Sequence, residues 1–258
     1  PYTTLFRSDL TWTTMLNFGH NHNELTKIYG EENQIISGVR IHKVGEPYYS
    51  YYGYEYAGVD PNTGRESYYL NDGTSNARNT TVNPNEAKKV IIGNHETKIE
   101  GGFSNNITWK FIDFGLNFTF SLGGKAFDAA TWQHNNGNYT FGGQLPTYYD
   151  INKMWTGPGD TNASQPVFQY GNSSEVSSRW LMPTDYLRLK SLTLGFTAPS
   201  QWVTRIGLSK ARAFFSASNL LTWKSKDLYV DPEMRVDGVC TFQTPALRTF
   251  TFGIELGF

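Results

Sequence analysis

The residues of this chain that could do chemistry are few, and their spacing completes no catalytic site. Asp231 and Glu233 are two residues apart beside Pro232, but general acid–base catalysis needs a partner group at a defined distance, and none can be identified. No Ser-His-Asp order and no glycine-rich phosphate loop is present. We therefore expect that the protein is not an enzyme and that it uses no cofactor.

Two groupings could suggest a metal ion. His20 and His22 lie in a predicted turn without a third ligand nearby, whereas zinc sites use about three or four protein ligands. Asp60 and Asn62 belong to an Asp-Pro-Asn-Thr-Gly sequence that is typical of a turn, and they offer too few oxygens for calcium, which binds about six to eight. Cys240 is the single cysteine, so a disulfide within the chain is excluded. The sequence predicts no metal site.

Aromatic rings supply the remaining chemistry. The polar stretch from Asp128 to Met182 carries five candidates for contact with a ligand or with a lid protein: Trp132, Tyr139, Tyr148, Tyr149 and Trp155. Long loops over a pore mouth are where a ligand would be captured. The alternative is that these rings pack the loop against itself or against a neighbouring protein. The tyrosine-rich run at residues 48–56 is assigned to an aromatic girdle at a membrane interface.

The elements that must position these groups are strands. The last ten residues alternate strictly, so one face of a strand carries apolar side chains and the other carries Thr, Gly and Glu. One face suits hydrocarbon and the other suits water, as in the closing strand of an outer-membrane β-barrel. The apolar side chains form the predicted signal for barrel assembly: Phe250, Phe252, Ile254, Leu256 and Phe258.

Similar alternation predicts about nine strands. They lie near residues 9–18, 23–44, 48–58, 64–71, 96–111, 113–127, 183–197, 210–224 and 247–258. Tight turns, including 19–22 and 60–64, alternate with long stretches near 72–95, 128–182 and 225–246. Membrane barrels have this asymmetry, with tight turns in the periplasm and long loops outside the cell.

One predicted strand carries both an irregularity and two charges. Its alternation changes parity between Leu189 and Leu192, which predicts a bulge. Arg188 and Lys190 would each cost about 2–4 kcal/mol if they faced lipid at mid-depth. We expect these two side chains to face the lumen or to lie at the extracellular interface.

Composition and charge limit which classes of protein and of binding partner remain. Aromatic residues make up 16% of the 258 residues and charged residues 17%, and the net charge of −1 favours no nucleic-acid partner. The chain begins without a signal peptide, and an odd number of strands does not close a bacterial barrel. We therefore expect a C-terminal piece of a larger precursor.

Eight short motifs, in order along nearly the whole chain, resemble those of the SusC/RagA branch of TonB-dependent outer-membrane transporters. Each motif is weak alone, and their order and spacing make the resemblance specific. They are residues 12–23 (WTTMLNFGHNHN), 57–64 (AGVDPNTG), 91–94 with 101–105 (IIGN and GGFSN), 123–128 (GGKAFD), 185–196 (DYLRLKSLTLGF), 218–222 (SNLLT), 231–233 (DPE) and 248–253 (RTFTFG).

The resemblance implies an all-β fold, a transmembrane antiparallel β-barrel of about 22 strands whose lumen is plugged. Residues 1–258 would supply its C-terminal strands, about nine, while the signal peptide, plug and N-terminal strands are absent. It also implies import of a nutrient oligomer, either oligosaccharide or peptide, across the bacterial outer membrane. A SusD-like surface lipoprotein would act as lid, and TonB would act through the absent N-terminal region.

Two alternatives remain open. A barrel of the same family could serve as a structural or assembly component of a larger outer-membrane complex. The aromatic content and low charge also fit a soluble, secreted carbohydrate-binding β-sandwich.

Overall fold

The computed structural model describes residues 9–135, 150–167, 174–233, 237–241 and 244–258. Within them the main sheet has six antiparallel strands. The order of these strands across the sheet is the same as their order along the chain. With strands numbered along the whole chain, these are β1 (Leu10–Gly19), β9 (Ile99–Trp109), β10 (Ile112–Leu122), β13 (Tyr186–Thr197), β14 (Lys210–Lys224) and β16 (Thr249–Gly257).

The two faces of the main sheet differ in polarity. Residues that pair across neighbouring strands share a face, and the register therefore aligns one apolar row across all six strands, for example Ile112, Phe196 and Ala213. The side chains of this apolar face are exposed, with Phe252 79% and Phe18 74% accessible. The opposite, polar face is lined mainly by Ser, Thr, Asn, Gly and charged residues from the same strands. This arrangement is the one expected for a sheet between hydrocarbon and water.

Two polar residues interrupt the apolar face and satisfy each other. Thr14 and Asn105 are directly opposite in the β1–β9 register. The Thr14 hydroxyl donates to Asn105 Oδ1 at 2.7 Å, and Trp12 Nε1 donates to the same oxygen at 3.1 Å. Since an unpaired polar group is costly away from water, these bonds reduce the cost of an asparagine on this face.

The connections between the six strands are long at one end of the sheet and short at the other. Lys110 and Phe111 join β9 to β10, and residues 198–209, which include α2 (Ser200–Val203) and a 3-10 turn at Thr204–Ile206, join β13 to β14. The other end carries residues 20–98, 123–185 and 225–248. Phe258 follows β16 at the end with the short connections.

Three predicted strands do not join the main sheet. The segments 23–44, 48–58 and 64–71 belong to the connection 20–98 and form strands of only four residues. Four residues extend about 13 Å, whereas a spanning strand needs about 9–11 residues. Gly19 ends β1 and residues 20–22 begin the connection 20–98, so the predicted tight turn at 19–22 does not form. Residues 60–64 do form a turn, between two of the short strands.

The long connections form small sheets of their own. One contains β2 (Gln34–Ser37), β3 (Arg40–Lys43), β4 (Ser50–Gly53) and β8 (Val90–Asn94), and a second contains β5 (Tyr56–Val59), β6 (Glu66–Tyr69) and β7 (Thr80–Thr81). A third contains β11 (Lys125–Asp128), β12 (Leu181–Pro183) and β15 (Val239–Cys240). The helix α1 (Ala129–Asn135) follows β11, and 3-10 turns lie at Pro84–Glu86, Ile151–Lys153 and Ser178–Trp180.

These small sheets pack together into a loop layer with its own core. Tyr51, Phe127 and Trp180 are buried at its centre. The Tyr51 hydroxyl lies 3.1 Å from the Lys125 carbonyl oxygen and 2.9 Å from that of Gly238, so it links all three long connections. Tyr51 therefore belongs to a protein core, and the prediction that the whole run 48–56 forms a membrane girdle was wrong at this position. Burial of the phenol raises the pKa of Tyr51 well above its usual range.

The predicted bulge in β13 is confirmed. Pairing with β10 passes from Asn117–Ser191 to Phe118–Leu189, which leaves Lys190 as the extra residue of β13. On the other side, two residues of β14, Asn219 and Leu220, lie opposite Lys190. Asn219 adopts a left-handed backbone with φ of 53°, a conformation that asparagine tolerates better than most residues. Among the described residues, no helix is both long enough and apolar enough to cross a membrane.

Candidate functional site

Two groups of paired charges on the polar face join segments that are not neighbours in the sheet. The first lies near the short connections, where Arg212 on β14 makes two hydrogen bonds to the Asp113 carboxylate on β10, at 2.6 and 2.7 Å. The strand between them, β13, has Gly195 at the crossing point. A Cβ there would lie 2.5 Å from the Asp113 carboxylate oxygens, so only glycine leaves room for this pair.

The second group lies near the long connections and contains four charges. Arg188 on β13 donates from one guanidinium nitrogen to Asp231 at 2.7 Å and from another to Glu233 at 2.5 Å. Its Nε bonds the Thr222 hydroxyl at 3.0 Å, and Lys190 Nζ contacts Glu233 at 2.7 Å. The Arg188 side chain is 3% exposed. Arg188 lies opposite Thr119 and Thr222 on the polar face, and the acidic partners of Arg188 and Lys190 come from the connection 225–248. That these two side chains avoid lipid remains a prediction.

The pairing sets the protonation of both acids. Burial opposes ionisation of Asp231, but the Glu233 backbone amide and the Arg188 guanidinium outweigh it and lower its pKa. Burial likewise opposes ionisation of Glu233, while Lys190, Arg188 and the Tyr186 hydroxyl lower its pKa. Both groups are therefore carboxylates at neutral pH. By accepting hydrogen bonds from Arg188 and Lys190, the two carboxylates hold the connection 225–248 against the sheet.

Sequence reasoning did not bring these charges together. The sequence presents Asp231 and Glu233 as acids without an identifiable partner. For Arg188 and Lys190 it indicates only which side of the sheet they face. A usable signal was present, since two cations and two carboxylates occur in two short motifs of a chain with few charged residues.

A recess of about 820 Å³ adjoins this group at the end of the sheet that carries the long connections. Its sheet side is formed by polar-face residues that include Asn17, Ser121 and Tyr186, and its other side by residues of the long connections that include Tyr49 and Glu96. Glu233 contributes to the recess as well as to the charged group.

Two of the five predicted aromatic contacts, Trp132 and Trp155, lie in the loop layer. The Trp132 indole packs edge-on against Phe127, with 5.9 Å between ring centroids, and its Nε1 donates to the Ser174 carbonyl at 2.9 Å. Trp155 donates to the Pro61 carbonyl at 2.8 Å and lies against Gly64 in the 60–64 turn. Both rings make contacts within the loop layer. Tyr139, Tyr148 and Tyr149 lie outside the described residues.

The predicted assembly residues occupy one side of β16. Phe250, Phe252, Ile254 and Leu256 lie on the apolar face opposite Ala217, Phe215, Ala213 and Ala211 of β14, and Phe258 follows the strand. Gly253 on the other face is covered by the Phe214 ring, which leaves no space for a Cβ. The described residues contain no group of three or more His, Cys, Asp or Glu that could hold an ion.

Comparisons with known proteins agree with the fold and with the motifs. The chain matches no protein-family model. It is 28% identical to TonB-dependent receptor P3 of Formosa agariphila, over 97% of this chain and 27% of the relative. It is 23% identical to the TonB-dependent receptor SusC of Bacteroides thetaiotaomicron, over 97% of this chain and 25% of SusC.

Solved structures give the same result. The chain superimposes on a structure of the RagAB peptide transporter with a TM-score of 0.81 and 26% identity, covering 98% of this chain and 28% of that one. A structure of the RagAB peptide importer in a closed state gives a TM-score of 0.82 at the same identity and coverage. The chain thus spans about a quarter of the length of these proteins. These similarities confirm the resemblance to SusC/RagA-like TonB-dependent transporters and the antiparallel fold of a partial barrel.

Proposed function

We propose that this chain is the C-terminal part of the barrel wall of an outer-membrane transporter, which imports a nutrient oligomer with energy supplied through TonB. The observation that carries the proposal is that the main sheet has one apolar face and one polar face across all six of its adjacent strands. Such a sheet suits a wall between lipid and a water-filled lumen. The remaining strands and the contact with TonB would come from parts of the protein outside this chain.

The loop layer is the proposed place of substrate capture and of lid docking. Its three connections share a buried core and polar links such as the Tyr51 hydroxyl, so they can present a defined surface. A SusD-like lipoprotein would close over this layer. The substrate would be an oligosaccharide or a peptide, and a peptide is supported by the similarity to RagAB. Tyr139, Tyr148, Tyr149, Trp132 and Trp155 remain the proposed aromatic contacts.

The terminal strand is proposed to carry the assembly signal. Phe258 follows a row of four apolar side chains and is 94% exposed, as expected for a residue read by the assembly machinery. Deleting Phe258 should reduce the amount of folded barrel in the outer membrane without preventing secretion. Deletion of Gly257 alone shortens the chain by one residue but keeps Phe258, and it is the matched control. Normal outer-membrane levels of the Phe258 deletion would contradict this role.

The proposed function is tested by uptake in the host cell. The gene for the full-length protein is deleted and restored, and uptake of labelled oligopeptides and oligosaccharides is measured with and without TonB. We expect uptake of one oligomer class that requires both the gene and TonB. Unchanged uptake together with loss of a larger outer-membrane complex would instead support the structural or assembly role.

A further inference from the structure

One edge of the loop layer is left uncovered. The first small sheet has the order β2, β3, β4 and β8, so β2 (Gln34–Ser37) has a neighbour on one side only. Every residue of β2 is exposed, whereas the end strands of the other small sheets, β5, β7, β12 and β15, each include partly or fully buried residues. Beyond the hairpin with β3, residues 34–37 make no backbone hydrogen bond to any described residue.

This edge can pair with another strand. Backbone groups alternate between the two sides of a strand, so alternate residues of β2 direct their N–H and C=O groups away from β3. Such a row of groups is a template for strand pairing, and proteins protect exposed edges by short length, lysine, proline or a bulge. β2 is short, but its sequence is Gln-Ile-Ile-Ser and its register with β3 is regular. It therefore lacks the other protections.

Both faces of β2 carry an isoleucine. On one face Ile36 lies opposite Ile41 of β3, and Ile41 is 2% exposed while Ile36 is 54% exposed. The buried side of this sheet thus stops at Ile36. On the other face the exposed Ile35 lies opposite His42, and the His42 ring stacks on Tyr48. Isoleucine is favoured in strands because it packs against covering neighbours, so β2 has the composition of a strand with a further neighbour.

The opposite end of this sheet shows which side β2 faces. There β8 meets the next connection, since a Cβ on Gly93 would contact the side chains of Lys125 and Leu181. The connections 20–98 and 123–185 are thus neighbours in the loop layer, as their strands are in the main sheet. β2 faces away from the connection 123–185, toward the side on which β1 ends the main sheet.

The proposed barrel continues on that side. An open sheet edge does not occur in hydrocarbon, so a further wall strand has to pair with β1. Because β1 begins at the end with the short connections, the next long connection upstream joins wall strands that precede β1. The chain spans about a quarter of the length of its relatives, so most of the proposed barrel lies outside it. A long connection from that part is the neighbour expected beside β2.

We propose that the free edge of β2 pairs with an extended strand from this upstream long connection of the same protein. The inference rests on the proposed barrel wall. The incoming strand forms main-chain hydrogen bonds along residues 34–37 and places apolar side chains over Ile35 and Ile36, as in recognition by strand addition. The loop layer then continues around the mouth of the barrel through backbone pairing, next to the place proposed for substrate capture.

The test uses the full-length protein in lipid bilayers, with Ile36 replaced by the photo-reactive benzoylphenylalanine. After irradiation, mass spectrometry identifies the segment that the label has reached. We expect a cross-link within the same chain, to one long connection that precedes β1. The same replacement of Ile151 is the matched control, because Ile151 is an exposed isoleucine of the loop layer in the connection 123–185. Its label should not reach that segment.

Two results of this experiment overturn the inference. A cross-link from position 36 to a separate protein would assign the edge to a lid or another partner. Products confined to residues 9–258, or no product at all, would show that the edge of β2 is free in the full-length protein.

Hydrogen exchange gives a second measurement that does not depend on cross-linking. In the full-length wild type, we expect all the amides of residues 34–37 to be protected. Ile36→Lys places a charge where the apolar cover lies and should speed their exchange by about tenfold, the size of a lost backbone hydrogen bond. Ile151→Lys should leave exchange at 34–37 unchanged. Fast exchange of alternate amides in the wild type would mean that nothing pairs with β2.

This inference and the proposed function can fail separately. A shift in gel mobility on heating reports whether the same sample contains a folded barrel. A folded barrel without the expected cross-link contradicts only the pairing of β2. A sample without the shift contradicts the proposed wall, and the pairing of β2 with it.

Discussion

The Arg188 guanidinium and the Asp231 carboxylate, 2.7 Å apart, join the wall of the main sheet to the connection that follows β14. Their side chains are 3% and 8% exposed, and Glu233 approaches the same guanidinium. Buried charges are tolerated only when they are paired and hydrogen-bonded. The contact therefore fixes where the connection 225–248 lies relative to the polar face.

Replacing Arg188 should release this connection. Arg188→Leu leaves two carboxylates without their shared partner, and loss of one member of a buried pair costs about 3–5 kcal/mol. We expect hydrogen exchange in residues 225–233 to become much faster. Lys210→Leu is the control, because its ion pair with Glu255 is exposed and contributes about 0–1 kcal/mol. Unchanged exchange in Arg188→Leu would mean that other contacts hold the connection.

Acidification should also release the connection 225–248 from the sheet. The pKa values of Asp231 and Glu233 lie below their usual range in the folded protein, so the folded state binds fewer protons than the unfolded state. The stabilisation is present above the unfolded values, about 4, and is lost as the pH falls through the lower folded values. Protease cleavage of the connection should therefore increase only below about pH 4. Asp231→Asn combined with Glu233→Gln should remove this step, and a step that persists would assign it to other groups.

A larger residue at Gly195 should displace the ends of the Arg212 and Asp113 side chains. Arg212 and Asp113 meet directly over it, and a Cβ would lie 2.5 Å from both carboxylate oxygens of Asp113. Gly195→Ala should break the pair and lower the temperature at which the barrel unfolds, as seen by the mobility shift of heated and unheated samples in gels. Gly115→Ala is a matched control on β10, since the nearest atoms to its Cβ would be Asn106 Oδ1 at 3.1 Å and Thr193 Cβ at 3.8 Å. Equal unfolding temperatures for the two variants would show that the Arg212–Asp113 pair is dispensable.

The sequence was sufficient for features that depend on local alternation. The apolar row of β16 from Phe250 to Leu256 follows directly from a period of two, and the bulge at Lys190 was visible as a change of parity. The short strands of the connection 20–98 were assigned to the wall, because a hairpin in a loop shows the same alternation as a spanning strand.

Contacts between distant segments could not be predicted in this way. Arg188 and Asp231 are 43 residues apart, and periodicity does not indicate which connection folds over which part of a sheet. Tyr51 was misplaced for the same reason, since its burial depends on Phe127 and Gly238 from other connections.

The central claim is that the apolar face of the main sheet meets lipid and the polar face meets water. Spin labels at Phe252 and Thr251, which are neighbours on opposite faces of β16, test it in the full-length protein in bilayers. We predict that oxygen dissolved in lipid relaxes the label at position 252 strongly, and that a water-soluble nickel reagent relaxes the label at position 251. Equal access of the nickel reagent to both positions, or the reverse pattern, would contradict the account.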